Sequence, residues 1–148
     1  MFERDRQRLL QEIASFPDDD SLWAIAPGVS NRAGNLILHL EGNLREYIGR
    51  QLGGVPYSRD RRAEFGGRDL TREDLTKRVE SLKTIPHVIA NLSENVLETA
   101  FPENVFGRPW TTRQFLIHLH GHFNYHLGQI DYLRRVLTQS GAVGLVQL

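Results

Sequence analysis

Hydrophobic residues recur every three or four positions along four stretches of the chain, and turn-forming residues separate these stretches. The pattern predicts helices over residues 2–15, 30–52, 71–96 and 111–139. No stretch shows the run of alternating apolar and polar residues that is typical of strands. We therefore expect an all-α protein that folds as a four-helix bundle.

Capping residues mark the start of three predicted helices. Their side chains accept hydrogen bonds from backbone N–H groups that have no partner in the first turn. Ser30 or Asn31 can cap the second helix, and Thr71 can cap the third. Thr111 and Gln114 are spaced as in a capping box, which predicts the start of the fourth helix.

Two features interrupt the regular pattern. Residues 53–70 show no convincing periodicity, and structureless connections longer than about 12 to 15 residues are uncommon in compact domains. We expect this segment to cross the bundle between the second and third helices. Pro86 falls inside the third predicted helix and removes one backbone hydrogen bond, so we expect a bend near Thr84.

The length of 148 residues, with 40% hydrophobic residues, indicates one compact domain over residues 1–148. Eighteen basic and 18 acidic side chains cancel, which argues against nucleic acid or an anionic membrane as a partner. No apolar run approaches the roughly 20 residues of a membrane-spanning helix, and the N-terminal residues lack the apolar centre of a secretion signal. We therefore expect a cytoplasmic protein with a small-molecule substrate.

Histidines cluster in the fourth predicted helix, at positions 118, 120, 122 and 126. At about 100° per residue, His126 falls within the apolar stripe and His122 at its edge. His118 lies further round the same edge, whereas His120 points away toward solvent. Because His122 and His126 are four residues apart, their rings lie on adjacent turns and can bind one metal ion.

A third ligand is needed, because two ligands seldom hold a metal ion well. His39 lies at the border of the apolar stripe of the second helix, with Asn43 one turn later. Three neutral imidazoles leave coordination positions open, as in catalytic sites. Zinc fits such ligands, and nickel, iron and manganese are also possible. Two alternatives stay open: His118 replaces or joins His122, or the histidines are hydrogen-bonded core residues.

Other catalytic patterns are absent from the sequence. A zincin has Glu directly after the first histidine of its pair, whereas this chain has Phe123. The inward faces lack the Glu-x-x-His sets of di-iron bundles, and no G-x-S-x-G motif is present. The chain has no cysteine, so thiolate ligands and a cysteine nucleophile are excluded.

Three segments carry a resemblance to a known superfamily. Residues 116–135 read LIHLHGHFNYHLGQIDYLRR, which resembles the last-helix signature of the DinB/YfiT-like metalloenzymes, where a His-x-x-x-His pair precedes Gly-Gln-Ile. Residues 35–49 read NLILHLEGNLREYIG, which resembles the segment that carries the first histidine of that superfamily. Residues 59–65 read RDRRAEF and resemble the crossover of a subfamily of unknown function.

The resemblance implies a four-helix bundle that holds one divalent ion through His39, His122 and His126. Characterised relatives include transferases and isomerases that use a bacterial low-molecular-weight thiol such as bacillithiol or mycothiol, whose pKa the metal lowers. A chain without cysteine is compatible with this chemistry, because the thiol arrives as a cosubstrate. Relatives often form homodimers, so we expect a homodimer.

The resemblance and the histidine pattern lead to three hypotheses. The first is a metal-dependent enzyme that transfers a thiol to a small electrophile, with hydrolysis as its alternative chemistry. The second is a metal-binding or stress-response module without turnover. The third is an interaction bundle whose histidines are polar residues of the core.

Three further residues of the helices are candidates for contacts within the site. Gln129 lies on the same edge of its helix as His122 and can orient a bound water or a substrate group, although it can also be a surface amide. Tyr47 can donate a hydrogen bond into the site or can serve only in packing. Asn43 can support the site or face water.

Arginines on the crossover are candidates for binding an anionic substrate. The guanidinium groups of Arg59, Arg61 and Arg62 suit the geometry of carboxylates. The alternative is a solvated loop in which these arginines pair with Asp60 and Glu64.

Overall fold

The computed structural model describes residues 1–144, and residues 145–148 of the predicted domain lie outside the described residues. The helices are α1 (Phe2–Ala14), α2 (Asp19–Trp23), α3 (Ala33–Leu44), α4 (Arg61–Gly66), α5 (Arg72–Ser81), α6 (Ile85–Ala90), α7 (Glu94–Glu98) and α8 (Thr112–Thr138). A π-helical turn, Arg45–Arg50, extends α3, and a 3₁₀ turn, Leu82–Thr84, joins α5 to α6. The described chain is all-α, which confirms the predicted fold class.

Helices α1, α3, α5 and α8 form a four-helix bundle. α1 contacts α5 and α8, and α3 contacts the same two helices, so the four surround a single core. Core side chains come from all four helices and include Leu9, Ile13, Leu36, Leu40, Leu75, Val79, Phe115 and Phe123. The long connection runs between α3 and α5, as the sequence predicts for the crossover.

α3 is the central helix of the fold. All of its residues, Ala33–Leu44, are buried, whereas the sequence pattern predicts a single apolar stripe. The outer face of α3 is buried because α4 packs across it. Asn35 Nδ2 donates hydrogen bonds to the backbone carbonyls of Glu64 and Gly67, and these bonds join the two helices.

The crossover contains a helix that the sequence pattern does not predict. α4 begins after Asp60, whose side chain accepts a hydrogen bond from the backbone N–H of Ala63. Glu64 is the one buried residue of this six-residue helix. A helix this short, which buries a single charged residue, has no apolar stripe to reveal it.

Two predicted helix starts have different outcomes. α3 begins after Arg32, and neither Ser30 nor Asn31 caps it, so that prediction is wrong. Thr111 and Gln114 do form the predicted capping box, in which the side chain of each accepts a hydrogen bond from the backbone N–H of the other. From there α8 runs unbroken for 27 residues and holds its histidines on one rigid element.

The third predicted helix is divided. Thr71 caps α5 as predicted and forms a capping box with Asp74. The chain then tightens into the 3₁₀ turn and begins again as α6, with Pro86 in the first turn, where no backbone N–H is needed. The regular α-helix is therefore interrupted at Leu82–Thr84, where the sequence predicts a bend. A second break, after which Ser93 caps α7, is not apparent from the sequence.

Charged side chains are buried between α1 and α8. Asp5 Oδ2 lies 2.8 Å from His120 Nε2 and 2.9 Å from Asn124 Nδ2. Arg134 Nε donates to Glu12 Oε2 over 2.6 Å, and both side chains are at most 1% exposed. His120 therefore lies in the interface between these helices, which corrects the prediction that it points into solvent.

The ion pair of Glu12 and Arg134 provides a test of the packing of α1 on α8. The Arg134→Ala variant leaves the carboxylate of Glu12 buried without a cation. We therefore expect the free energy of unfolding of this variant to fall by about 3–5 kcal/mol. The matched control is Arg135→Ala, which removes a partly exposed partner of Asp131 and should change stability by less than about 1 kcal/mol. Urea unfolding measures both variants. Equal losses in the two variants would contradict the prediction.

Candidate metal centre

Three histidine rings converge between α3 and α8. His39 lies in the middle of α3, and His122 and His126 lie one turn apart on α8. Nε2 of His122 is 3.2 Å from Nε2 of His39 and 3.1 Å from Nε2 of His126. The fold thus brings together the three residues that the sequence analysis names as metal ligands.

Outer hydrogen bonds orient two of the three rings. Nδ1 of His39 lies 2.9 Å from Oε2 of Glu64, and Nδ1 of His126 lies 2.7 Å from Oε1 of Gln129. Carboxylate and amide oxygens only accept hydrogen bonds, so each Nδ1 carries a hydrogen and donates it. In the neutral form of each ring, Nε2 is then the nitrogen without a hydrogen, and its lone pair is directed to the centre of the cluster.

The Nε2 atoms of the cluster do not carry enough hydrogens for each of their two contacts to be a hydrogen bond. Burial and the neighbouring imidazoles lower the pKa of His122 to about 3, so this ring is neutral at pH 7. If its Nε2 carries a hydrogen, it can donate that hydrogen to only one of its two neighbours. At least one of the two contacts, 3.1 or 3.2 Å long, therefore joins two nitrogens with no hydrogen between them.

A divalent ion fits this donor set. Imidazole nitrogens are ligands of zinc, nickel and iron, and a shared cation replaces the repulsion between facing lone pairs by attraction. Nitrogens at about 2.1 Å from one ion are about 3.0 Å apart at a right angle and about 3.4 Å apart at a tetrahedral angle. The two separations of 3.1 and 3.2 Å fall within this range. Within residues 1–144 the group comprises the three histidines alone, which leaves coordination positions open.

Glu64 is the buried anion beside the histidines. Its Oε1 accepts a hydrogen bond from Arg59 Nε over 2.6 Å, and its Oε2 accepts one from Arg59 Nη2 over 2.8 Å. Burial acts to raise the pKa of Glu64, but the hydrogen bonds from Arg59 and His39 hold it below its ordinary value. The carboxylate is therefore charged at neutral pH, and Arg59 balances its charge.

The sequence suggests for Glu64 only a solvated loop, in which it pairs with the crossover arginines. The pairing with Arg59 is present, but it is not solvated: the side chain of Glu64 is buried, with 6% exposure, and that of Arg59 is 11% exposed. Gly42 provides a signal for this arrangement. Glycine inside a helix is destabilising by roughly 0.5–1 kcal/mol relative to alanine, so its presence there indicates a position at which a side chain does not fit. A Cβ at residue 42 would overlap Oε1 of Glu64, so this glycine lets α4 approach α3.

Two of the predicted supporting residues contact the ligand histidines directly. Gln129 accepts the hydrogen bond from Nδ1 of His126 described above. Asn43 Nδ2 lies 3.0 Å from Nε2 of His39, and Asn43 Oδ1 accepts a hydrogen bond from Arg59 Nη1 over 3.0 Å. Both amides therefore position the site residues around the centre of the cluster.

Tyr47 and Arg61 lie further from the centre. The ring of Tyr47 packs edge-on against Phe115 at a centroid distance of 5.2 Å, and within residues 1–144 its hydroxyl makes no hydrogen bond to the histidines. The exposed guanidinium of Arg61 lies 5.8 Å from the ring centroid of Phe65. The Phe65 ring in turn lies 5.0 Å from that of His39, so Phe65 is the residue that links Arg61 to the site.

His118 does not belong to the three-histidine group. Its ring stacks on that of Phe115 and lies beside Trp110, with centroid distances of 5.8 and 5.4 Å. The ring centroid of His122 is 6.3 Å away. The described group thus contains His122 and not the alternative ligand His118.

Comparisons with known proteins agree with this fold. Residues 1–144 match a family described as a protein of unknown function, DUF1572. The chain belongs to the DUF1572 family. A crystal structure of a DinB-like protein from Bacillus cereus covers 97% of this chain and 91% of its own, with a TM-score of 0.70 and 18% identity. The fold of this DUF1572 protein is therefore DinB-like, as the sequence resemblance implies.

No curated protein matches the DUF1572 chain. Within residues 1–144, no helix combines the length and the apolarity that crossing a membrane requires. The homodimer stays a prediction.

The metal content of the DUF1572 chain tests the site directly. After purification without a His tag and reconstitution, we expect about one divalent ion per chain by elemental analysis. His126→Ala should lose the ion because two ligands hold it poorly, whereas His120→Ala, on the same helix but bound to Asp5, should keep it. Absence of zinc, nickel, iron and manganese from the reconstituted wild type would refute the site.

Glu64→Gln tests the role of the carboxylate that orients His39. We expect the affinity for the ion to fall about 10–100-fold, the usual effect of removing an outer partner of a metal ligand. The matched control is Glu41→Gln, another buried glutamate, which pairs with Arg45 and Arg78. Competition with a chromogenic chelator gives the affinities, and thermal melts of the metal-free variants show whether they are folded. An equal loss in Glu41→Gln would assign the effect to general destabilisation.

Proposed function

We propose that this chain is a cytoplasmic enzyme that depends on a divalent metal ion and transfers a low-molecular-weight thiol to a small electrophile. The observation that carries the proposal is the convergence of three imidazole rings, two of them oriented from behind by Glu64 and Gln129. Catalytic metal sites have this number of protein ligands, because a further position is kept for water or substrate. Zinc, nickel, iron and manganese are the candidate ions.

The chemistry requires a thiol from outside the chain, since the sequence has no cysteine. A divalent ion lowers the pKa of a thiol that it binds, so that thiolate is available near neutral pH. In the transfer, the thiol gives its proton to solvent and its sulfur forms a bond to an electrophilic carbon. The leaving group departs with the electron pair of the bond that breaks. The contribution of Glu64 and Gln129 is to hold His39 and His126 in the orientation that directs their lone pairs inward.

The contacts of Glu64 support a thiol rather than water as the nucleophile. Activation of water is assisted by a side chain that can accept its proton. Among the described residues, Glu64 is the carboxylate that contacts the three-histidine cluster. Both of its oxygens already accept hydrogen bonds from Arg59 or His39. A thiol has an ordinary pKa of about 8.5 and needs less assistance than water does.

Arg61 is the arginine best suited to bind an anionic group of the thiol cosubstrate. Its side chain is exposed and stands over Phe65, whose ring contacts His39. The guanidinium of Arg59, by contrast, is occupied by Glu64 and Asn43. Tyr47 stays a candidate for a hydrogen bond to the substrate, because its ring lies against the Arg59 guanidinium at the edge of the site.

The reaction is tested with the metal-loaded protein, bacillithiol or mycothiol, and monochlorobimane as the electrophile. We expect the amount of fluorescent conjugate formed to equal the amount of free thiol consumed. This should hold for the wild type and for the control variant Glu41→Gln. His126→Ala should fall to the uncatalysed rate, because it lacks the ion.

A parallel assay with 4-nitrophenyl acetate and no thiol tests for hydrolysis. Ester cleavage that is lost in His126→Ala, without thiol consumption, would replace the transferase proposal by a hydrolase. Bound metal with turnover of neither substrate would instead favour a metal-binding or stress-response module.

A further inference from the structure

A cavity opens between the turn before α3 and the end of α8, and Gln129 connects it to the histidine cluster. It has a volume of about 550 Å³, within the range of about 300–1,000 Å³ that is usual for small-molecule sites. The turn between α2 and α3 forms one wall, and the last turns of α8 form the other. The lining residues are Ala26, Pro27, Gly28, Val29, Ser30, Asn31, Leu36, Gln129, Tyr132, Leu133 and Val136.

The lining carries no charged side chain. This is unusual for the surface of a protein in which 24% of the residues are charged. Aliphatic side chains such as Leu36, Leu133 and Val136 dominate, and the polar groups are hydroxyls and amides. A charged ligand would lose water in this cavity without gaining a partner of opposite charge, whereas an uncharged apolar group is favoured there.

The cavity and the histidine cluster share structural elements. Leu36 is three residues before His39 on α3, and Gln129 is three residues after His126 on α8. Three residues of a helix span about 4.5 Å along its axis, so both helices place the cavity about one turn from the ligands. Gln129 belongs to both, since it lines the cavity and accepts the hydrogen bond from His126.

Gln129 also offers a polar group at this junction. Its Oε1 is bound to His126, whereas its amide nitrogen makes no hydrogen bond to any residue within 1–144. The two N–H groups are therefore available to an acceptor on a ligand. A ligand with an apolar body and one uncharged acceptor would match the cavity and Gln129 together.

We propose that this cavity binds the apolar body of an uncharged substrate and so places the reactive carbon of that substrate beside the three histidines. The inference rests on the proposed function for the reaction, but the binding of an apolar ligand does not depend on it. The substrate class is a small electrophile that carries one or two hydrocarbon or aromatic rings and no ionised group.

Two matched probes test the chemistry of the cavity. N-phenyl-1-naphthylamine is uncharged, and 8-anilino-1-naphthalenesulfonate has the same rings with an added sulfonate. We expect one molecule of the uncharged probe to bind per chain, at least tenfold more tightly than the sulfonate, by fluorescence titration of the metal-free protein. Equal affinities, or no binding of the uncharged probe, would overturn the proposal.

Valine substitutions locate the bound probe. Val29→Arg and Val136→Arg place a charge at the rim of the cavity and should each weaken binding of the uncharged probe at least tenfold. Val55→Arg is the matched control, because Val55 is similarly exposed and lies outside the lining. Ile117→Arg reports on two other surface cavities. Loss of binding in Ile117→Arg but not in Val29→Arg would overturn the proposal.

Proximity to the histidines is tested with Co²⁺ and Zn²⁺ in turn. We expect the proton resonances of the bound uncharged probe to broaden in the Co²⁺ protein, which is paramagnetic, and to stay sharp in the Zn²⁺ protein. If elemental analysis finds no Co²⁺, the proposed function fails while the probe titration still decides the cavity. If Co²⁺ is bound and the resonances stay sharp, the cavity is not a substrate site for this centre.

Discussion

The buried carboxylate of Glu64 joins the crossover to the central helix and orients a metal-ligand candidate at the same time. It accepts two hydrogen bonds from Arg59 and one from His39, so its charge is compensated inside the protein. An uncompensated carboxylate at this depth would be strongly unfavourable. The same contact helps to hold α4 on the outer face of α3, so it contributes to the burial of that face as well as to the orientation of His39.

Much of the fold was predictable because α8 and α5 bury one face and leave the other in water. Such helices show an apolar stripe, and capping residues such as Thr71 and Thr111 mark where they begin. The same reasoning finds α3 but not the burial of its outer face, and it misses α4, which buries only Glu64. An apolar stripe cannot show that the opposite face of a helix is also covered, and it cannot reveal a helix that has no apolar face.

The histidines of the site were predictable for a related reason. A spacing of four on α8 fixes the relation of His122 to His126 without knowledge of any other helix. The outer partner of His39 was not predictable, since its distance from Glu64 depends on where the crossover lies in space. Position in the sequence gives no measure of that distance. Gln129 is intermediate: its place on α8 was clear, but its role as acceptor for His126 depends on a side-chain contact.

The hydrogen bond between Asn43 and His39 has a consequence for how the centre is filled. Asn43 Nδ2 occupies the lone pair of Nε2 that an incoming cation needs. On the proposal that the site takes up an ion, the amide would have to turn away before the nitrogen could coordinate. Asn43 is itself restrained by Arg59, so this movement would be linked to the crossover. Asn43 would then act on the rate of uptake, whereas Glu64, behind the ligand, would act on the affinity.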